Sequence, residues 1–434
     1  MSFKIDKQTL DDLAIFGNNR TKSVYDIFNR TRTRGGAKIL EEMFLYPLSD
    51  ADQINERSDV IRYYRDIEAE FPFRGEIFDT MEFYLGNTDR RTQLMTQDNT
   101  LGRKFKNLVG TDTEYTQIHN GIVCCIELLN TLDAFLKNSK ADAGNKTIAE
   151  LTASLRGLLG NEKWSWYVSE KGKKKLGYEQ AVVYDRVLRF EERDKLMKIL
   201  YYVYLLDVYM AVANVAKERD FVFAKAHPND KNTLVMKGVF HPFLTNPVGN
   251  TITVDENSNV IFLTGANMAG KSTFLRAIGV NLVLACCGAV VRAESFEFQP
   301  MALFTSMRTV DNLAKGTSYF HAELLRLQQL VNMAQHEERL FIILDEILKG
   351  TNSRDKLNGS RRFLQKLLTL PVAGLVATHD LELGELANTI PDNFFNRCFE
   401  ITHTDDDIAY DYKLKPGISQ NMNASILLEK MKLV

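Results

Sequence analysis

The sequence predicts a multidomain protein, with an all-α domain over residues 1–235 followed by an α/β domain over 236–434. Three observations lead there. Apolar residues recur at spacings of three and four through most of the first half. Beyond about residue 235, short apolar runs bounded by turn residues alternate with helical stretches, the pattern of a sheet covered by helices. One such run, Val260-Ile261-Phe262-Leu263, leads directly into Gly265-Ala266-Asn267-Met268-Ala269-Gly270-Lys271-Ser272-Thr273.

In the first half, one apolar stripe comprises Ile122, Val123, Ile126, Leu128, Leu129, Leu132, Phe135 and Leu136. A second, within 188–215, comprises Leu196, Ile199, Leu200, Val203, Leu206, Val208 and Val212. Few Pro or Gly residues interrupt either stretch, which predicts long antiparallel helices with these stripes facing a common core. Between them, Gly157 to Gly177 is a break containing Trp164, Trp166 and the charge run Lys171 to Lys175. That run reads as a solvated loop, with a nucleic-acid contact as the alternative. Pro228-Asn229-Asp230 predicts a boundary turn before Leu234.

In the second half, a strand, a glycine-bounded loop and a lysine-hydroxyl pair opening a helix form the context a phosphate-binding loop requires. A plain Gly-rich turn is the alternative. The loop amides and helix N-terminus offer unpaired donors to phosphate oxygens. Lys271 can reach terminal phosphates, and the Ser272 hydroxyl can ligate Mg²⁺. Leu340–Leu344 is a buried strand ending in Asp345 and Glu346. Asp345 can hold Mg²⁺ while Glu346 orients or deprotonates water, and neighbours on a strand point opposite ways. A second strand, Val372–Ala377, ends at Thr378-His379, which places His379 as a γ-phosphate sensor or, alternatively, a surface or core histidine. Gly316 to Glu323 opens another helix, where Ser318 is an N-cap and, if it faces a second subunit's phosphate, a trans contact. Gly350 to Asp355 is polar and turn-forming, suited to the same interface.

The chain has 434 residues, 45% hydrophobic and 25% charged, with net charge −2. That composition predicts a globular protein and gives no global electrostatic case for nucleic acid, leaving room only for a local patch. Cys124, Cys125, Cys286, Cys287 and Cys398 lack metal-ligand spacing and read as buried, reduced thiols. The N-terminus has no signal-peptide core, and no apolar run approaches ~18 residues. The expected location is the cytoplasm, without a membrane partner.

Together these segments resemble the MutS family of mismatch-repair ATPases, within the ABC class. The resemblance rests on Thr264 to Thr273, Asp345 to Thr351, Gly316, Ser318, Phe320 and Glu323, Thr378-His379, and Lys237-Gly238-Val239-Phe240-His241-Pro242. It continues in Ser23 to Thr31, Gly35-Gly36, Pro47-Leu48 and Ile54-Asn55-Glu56-Arg57. It implies core and lever helices in the first half and an ABC-type ATPase domain that forms a homodimer through composite sites. ATP and Mg²⁺ are the implied cofactors. Gly265, Asn267, Met268, Gly270, Lys271, Ser272 and Thr273 would bind nucleotide, with Ser318 added in trans. Ser272 and Asp345 would hold the metal, and Glu346, His379 and Lys271 would be catalytic.

The departures are specific. Full-length relatives carry a mismatch-reading domain and a connector ahead of this core, and the match here already begins at Ser23. Both are expected to be absent, and the helical half is short for core, levers and a complete DNA clamp together. Ala266 stands for a usual proline, Pro247 stands where an aromatic often stacks on adenine, and Asn423-Ala424 falls near a usual glycine. The expected function is an ATP-driven dimeric switch acting on DNA in mismatch repair or a related transaction. The alternative is an ATP-gated switch whose levers bind a protein partner. A scaffold without turnover conflicts with the presence of Lys271, Asp345, Glu346 and His379, and no acceptor-pocket motif suggests a small-molecule kinase.

Overall fold

The computed structural model describes residues 3, 5–17, 22–96, 113–138, 145–228, 234–255, 259–266, 268–307, 319–337, 339–389, 394–404 and 407–419. The chain forms two compact units, each built from separated stretches. One comprises residues 29–41 and 59–214, the other 1–28, 42–58 and 215–434. The helices Arg34–Leu45, Ala51–Asp66 and Arg193–Glu218 each begin in one unit and end in the other.

The described regular elements of the first unit are all helical. They include Glu76–Gly86, Thr113–Asn138, Lys146–Leu159, Tyr178–Asp185 and most of Arg193–Glu218. Most of the predicted stripe is buried along Thr113–Asn138, with Ile122, Ile126, Leu128, Leu129, Leu132 and Leu136 inward and Val123 and Phe135 half-buried. Two polar nodes interrupt this apolar interior. Asp185 and Arg189 form a fully buried pair at 2.7 Å across a π-helical turn. The Tyr84 hydroxyl and the Leu94 amide also donate to Asp185, and Arg189 donates to Thr92. A buried ion pair is tolerated when its remaining donors and acceptors are occupied in this way. The second node is Asp207, buried within the apolar helix Arg193–Glu218. Its carboxylate accepts from the amides of Arg32 and Thr33 and the Thr33 hydroxyl at 2.7–3.0 Å. It thereby satisfies donors at the start of Arg34–Leu45 that the helix itself cannot pair. The helix Arg193–Glu218 is long and apolar enough to cross a membrane by length and composition, but 67% of its apolar window is buried inside the protein.

The predicted break is shorter than expected, because Lys146–Leu159 continues through Gly157. Trp164 is buried in the core, whereas Trp166 lies flat on Tyr184 with ring centroids 3.6 Å apart. Lys171, Lys173, Lys174 and Lys175 are exposed, and Lys173 pairs with Glu170 at 3.1 Å.

The second unit contains all the described strands: β1 Val222–Phe223, β2 Lys225–Ala226, β3 Leu234–Val239, β4 Asn250–Val254, β5 Val260–Gly265, β6 Val290–Val291, β7 Ser295–Phe298, β8 Ala302–Ser306, β9 Leu340–Asp345, β10 Val372–Ala377, β11 Phe394–Thr404 and β12 Asp407–Pro416. The expected boundary at 235/236 falls inside β3, after β1 and β2, which are too short to carry a periodic signal. Asn229 and Asp230 of the expected boundary turn lie outside the described residues.

The larger sheet has the order β12-β11-β5-β10-β9-β8. Its strands are parallel from β8 to β11, and β12 returns antiparallel along β11. β5 is buried at every position and β9 at every position but its last, as expected for strands covered on both faces. On one face Phe262, Ile342, Leu344 and Val376 pack with Leu327, Leu330, Leu364 and Leu367 of the helices Tyr319–His336 and Ser353–Leu367. On the other, Ile343 abuts Gly279 of the helix Lys271–Cys286. Mid-strand in β10, Gly374 has φ +151°, and a Cβ there would lie 2.0 Å from the Ile342 carbonyl oxygen. A second sheet has the order β2-β7-β3-β4, and β1 pairs with β6. The fold is thus a helical part joined to an α/β part with mixed sheets. The five cysteines are free thiols, four of them buried, and burial pushes the pKa of Cys286 up to about 12.

Candidate functional site

The site is assembled from the carboxyl ends of three neighbouring strands. Pairing aligns Leu263 of β5, Ala377 of β10 and Asp345 of β9 in one row, so the loops leaving these strands open on the same edge. Ligands of open α/β sheets bind outside strand carboxyl ends for this topological reason.

From β5 the chain turns through a short loop into the helix Lys271–Cys286. Gly270 caps that helix at φ +104°, ψ 0°, a left-handed conformation that glycine adopts without a Cβ penalty. No acidic residue sits in the first helical turn and no side chain caps it, so the helix dipole there is uncompensated within the loop. The Lys271 side chain is buried and folds back over the loop, donating to the carbonyls of Gly265 and Ala266, the latter at 3.0 Å. Burial pulls its pKa down, while Asp345 and Glu346 act in the opposite direction.

Ser272 follows Lys271, and its hydroxyl donates to Asp345 Oδ2 at 2.9 Å. A hydroxyl beside a carboxylate is a hard-oxygen donor set that fits Mg²⁺, whose remaining positions are commonly water and phosphate. Glu346 does not continue the strand. Its φ of +56° swings the chain away, and its amide donates to the Ala377 carbonyl at 2.8 Å. The two adjacent acids are therefore set apart by a turn, not by the expected strand alternation. Glu346 Oε1 accepts from His379 Nε2 at 3.0 Å, with Lys349 Nζ 3.8 Å from Oε2. The His379 hydrogen bond is the main cause holding the Glu346 carboxyl down at about 2. Glu346 is therefore an anion at neutral pH, held by a half-exposed imidazole.

Beside the loop lies a cleft of about 380 Å³ lined by His241, Pro247, Met268, Thr273, Phe399 and Tyr412. Met268 has φ +66° and is 70% exposed, consistent with a side chain turned outward from the loop. Tyr412 carries no local motif that marks it as a site residue in the sequence. It projects from β12 with φ +53°, lies stacked on Tyr410, and is fixed by Asn250, which bonds the Tyr412 carbonyl and the Leu414 amide. The alternation Tyr410-Asp411-Tyr412 is the one available signal. Pro247, standing where an aromatic is usual, lines the same cleft as this tyrosine.

Gly265, Met268, Gly270, Lys271, Ser272, Thr273, Asp345, Glu346 and His379 thus come together on one edge of the sheet. Asn267 and Ser318 lie outside the described residues, as does Asn423-Ala424. In the Gly350–Asp355 stretch, Asn352 caps Ser353–Leu367 by accepting from the Asp355 amide at 3.0 Å.

Two family models match the sequence, one over each half of the chain. The family model for MutS domain III matches residues 8–213, and that for MutS domain V matches 261–430. The chain belongs to the MutS family. It is 31% identical over 246 residues to MutS protein homolog 4 of Mus musculus, covering 54% of this chain and 25% of that protein. It is 32% identical over 253 residues to DNA mismatch repair protein MutS of Persephonella marina, covering 55% and 28%. With the protein of that name from Petrotoga mobilis it shares 22% identity over 515 residues, 96% of this chain and 61% of the relative. The chain therefore spans between about a quarter and three-fifths of the length of these relatives.

Proposed function

We propose that this chain is a Mg²⁺-dependent, ABC-type P-loop ATPase that works as a homodimer and couples nucleotide state to movement of its helical levers on DNA. The observation that carries this reading is the joint placement of Ser272 on Asp345 and Glu346 on His379, at the carboxyl ends of the neighbouring strands β5, β10 and β9. Ser272 and Asp345 would hold Mg²⁺, which when bound neutralises phosphate charge. Lys271 would exchange its loop carbonyls for phosphate oxygens, and the first amides of Lys271–Cys286 would face the same anion. Glu346 orients the attacking water and His379 fixes Glu346. The Tyr412 ring takes the stacking role on the base. Ser318 completes the site of a second copy, and the three helices shared between units supply the levers.

DNA is the proposed partner because the relatives are named as mismatch repair proteins. The net charge of −2 favours a second reading, an ATP-gated dimer that binds a protein. Cytoplasmic location belongs to the same proposal. Two measurements test it. Ser318→Ala and Lys271→Ala chains, each impaired alone, should regain turnover on mixing; no recovery argues against shared sites. A salt titration of binding to duplex, branched and mismatched DNA, with and without ATP, should show steep salt dependence. No binding at low salt removes DNA and leaves the protein-partner reading.

A further inference from the structure

Glu323 groups by sequence with the segment expected to reach another subunit, yet its side chain turns back into its own chain. It is only 3% exposed, and Oε1 accepts from the Lys349 amide at 3.3 Å. Its other oxygen, Oε2, is buried with no hydrogen-bond partner among the described residues. A carboxylate buried with half its acceptor capacity idle is costly, so its presence here calls for an explanation.

Lys349 closes the turn that carries Glu346. Within four residues this turn has two non-glycine positions in the left-handed region, Glu346 at φ +56° and Leu348 at φ +58°. Such conformations persist only where surroundings over-determine them. The Ala377 carbonyl holds the turn at the Glu346 amide, Leu348 is packed in the core, and Glu323 holds the Lys349 amide. The helix bearing Glu323 is itself locked. One turn further on, the Arg326 guanidinium donates to Asp6, to the Thr9 hydroxyl and to the Thr305 carbonyl, and lies 3.7 Å over the Phe304 ring. Glu323 therefore presents its carboxylate from a fixed helix to the far end of the catalytic turn.

We propose that Glu323 is a positioning residue for Glu346, linking the helix that begins just after Ser318 to the carboxylate that acts in the same chain. The proposal rests on the ATPase reading above. Its consequence is that a shift of the helix Tyr319–His336 alters the Glu346 geometry of the same chain through the Lys349 amide.

The test compares Glu323→Met, which fills the volume without an acceptor, with Glu323→Gln, which retains an oxygen for the Lys349 amide. In steady-state ATP turnover, Glu323→Met should lower kcat by about 10- to 100-fold, the scale of a misplaced catalytic group. KM and the affinity for ADP should stay within about twofold. Glu323→Gln should recover most of kcat. Burial favours methionine here, so a folding failure of Glu323→Met with a fully active Glu323→Gln would indicate a packing role and overturn the proposal. Turnover by Glu323→Met within twofold of wild type, or a loss not rescued by Glu323→Gln and matched by weaker ADP binding, would overturn it too. A wild-type chain with no turnover would instead overturn the ATPase reading, and this proposal with it.

Discussion

Replacing Glu346 by glutamine tests the centre of the site with almost no change in shape. The carboxylate takes a hydrogen bond from His379 at 3.0 Å and its backbone is tied to Ala377. A glutamine amide oxygen can still accept from His379, so the turn should persist while proton acceptance is lost. General-base contributions of about 10²- to 10⁴-fold, roughly 3–5 kcal/mol of barrier, set the expected fall in kcat. Stability should change little at neutral pH, because His379 is 41% exposed and ion pairs of this kind are worth about 0.2–1 kcal/mol. The acid limb should respond differently. The Glu346 pKa is depressed from 4.5 to about 2, so its contribution is present above 4.5 and lost as pH falls through about 2. The glutamine variant should therefore lose less stability than wild type across that interval. Single-turnover and steady-state ATP hydrolysis, with ADP binding as the control, measure the first effect, and acid unfolding followed by circular dichroism measures the second. Turnover within twofold of wild type would remove Glu346 from the chemistry.

Tyr412→Ala should weaken nucleotide binding by about tenfold, the scale of one base–aromatic stack, while Tyr412→Phe stays near wild type; fluorescent ADP titration distinguishes them. Asp207→Ala leaves the Arg32 and Thr33 donors without their acceptor and should destabilise by about 3 kcal/mol in urea unfolding, with Asp207→Asn costing less. Equal stability of all three proteins would refute that account. If the exposed lysine run touches DNA, changing Lys171, Lys174 and Lys175 to glutamine should reduce the salt slope by about 0.9 for each phosphate no longer neutralised. Lys173, already paired with Glu170, should contribute less when changed alone.

The site was legible where its chemistry is local. The loop from Gly265 to Thr273 shows itself because glycine, lysine and hydroxyl spacing is dictated over a few residues, and Asp345 and His379 because each closes an apolar run. Tyr412 was hidden because its position depends on β12 folding back on β11, which pairs with β5 from far along the chain. The turn at Glu346 was hidden for a related reason, since nothing in Asp345-Glu346-Ile347-Leu348 marks two left-handed residues. In the fold, helix content followed from periodicity, but the partners of the helices did not. Asp12 lies in a short helix that reads as part of the helical half. It accepts from the Thr305 hydroxyl 293 residues away and from the Met307 amide, which fastens the N-terminal stretch to β8. Periodicity reports which face is buried and carries no information on what covers it.

Gly374 gives the middle strand a genetic signature. Between β5 and β9 it admits no side chain, and it lies three residues, roughly 10 Å, before the strand end that meets the turn carrying Glu346. Any replacement must push β9 and β10 apart, and the strain would spread along the ladder towards Asp345 and Glu346. An allele at residue 374 would then score in an activity screen as an active-site lesion while touching no nucleotide. Because the clash is with the backbone of Ile342, smaller side chains along β9 should not compensate it, and reversion to glycine should dominate among suppressors.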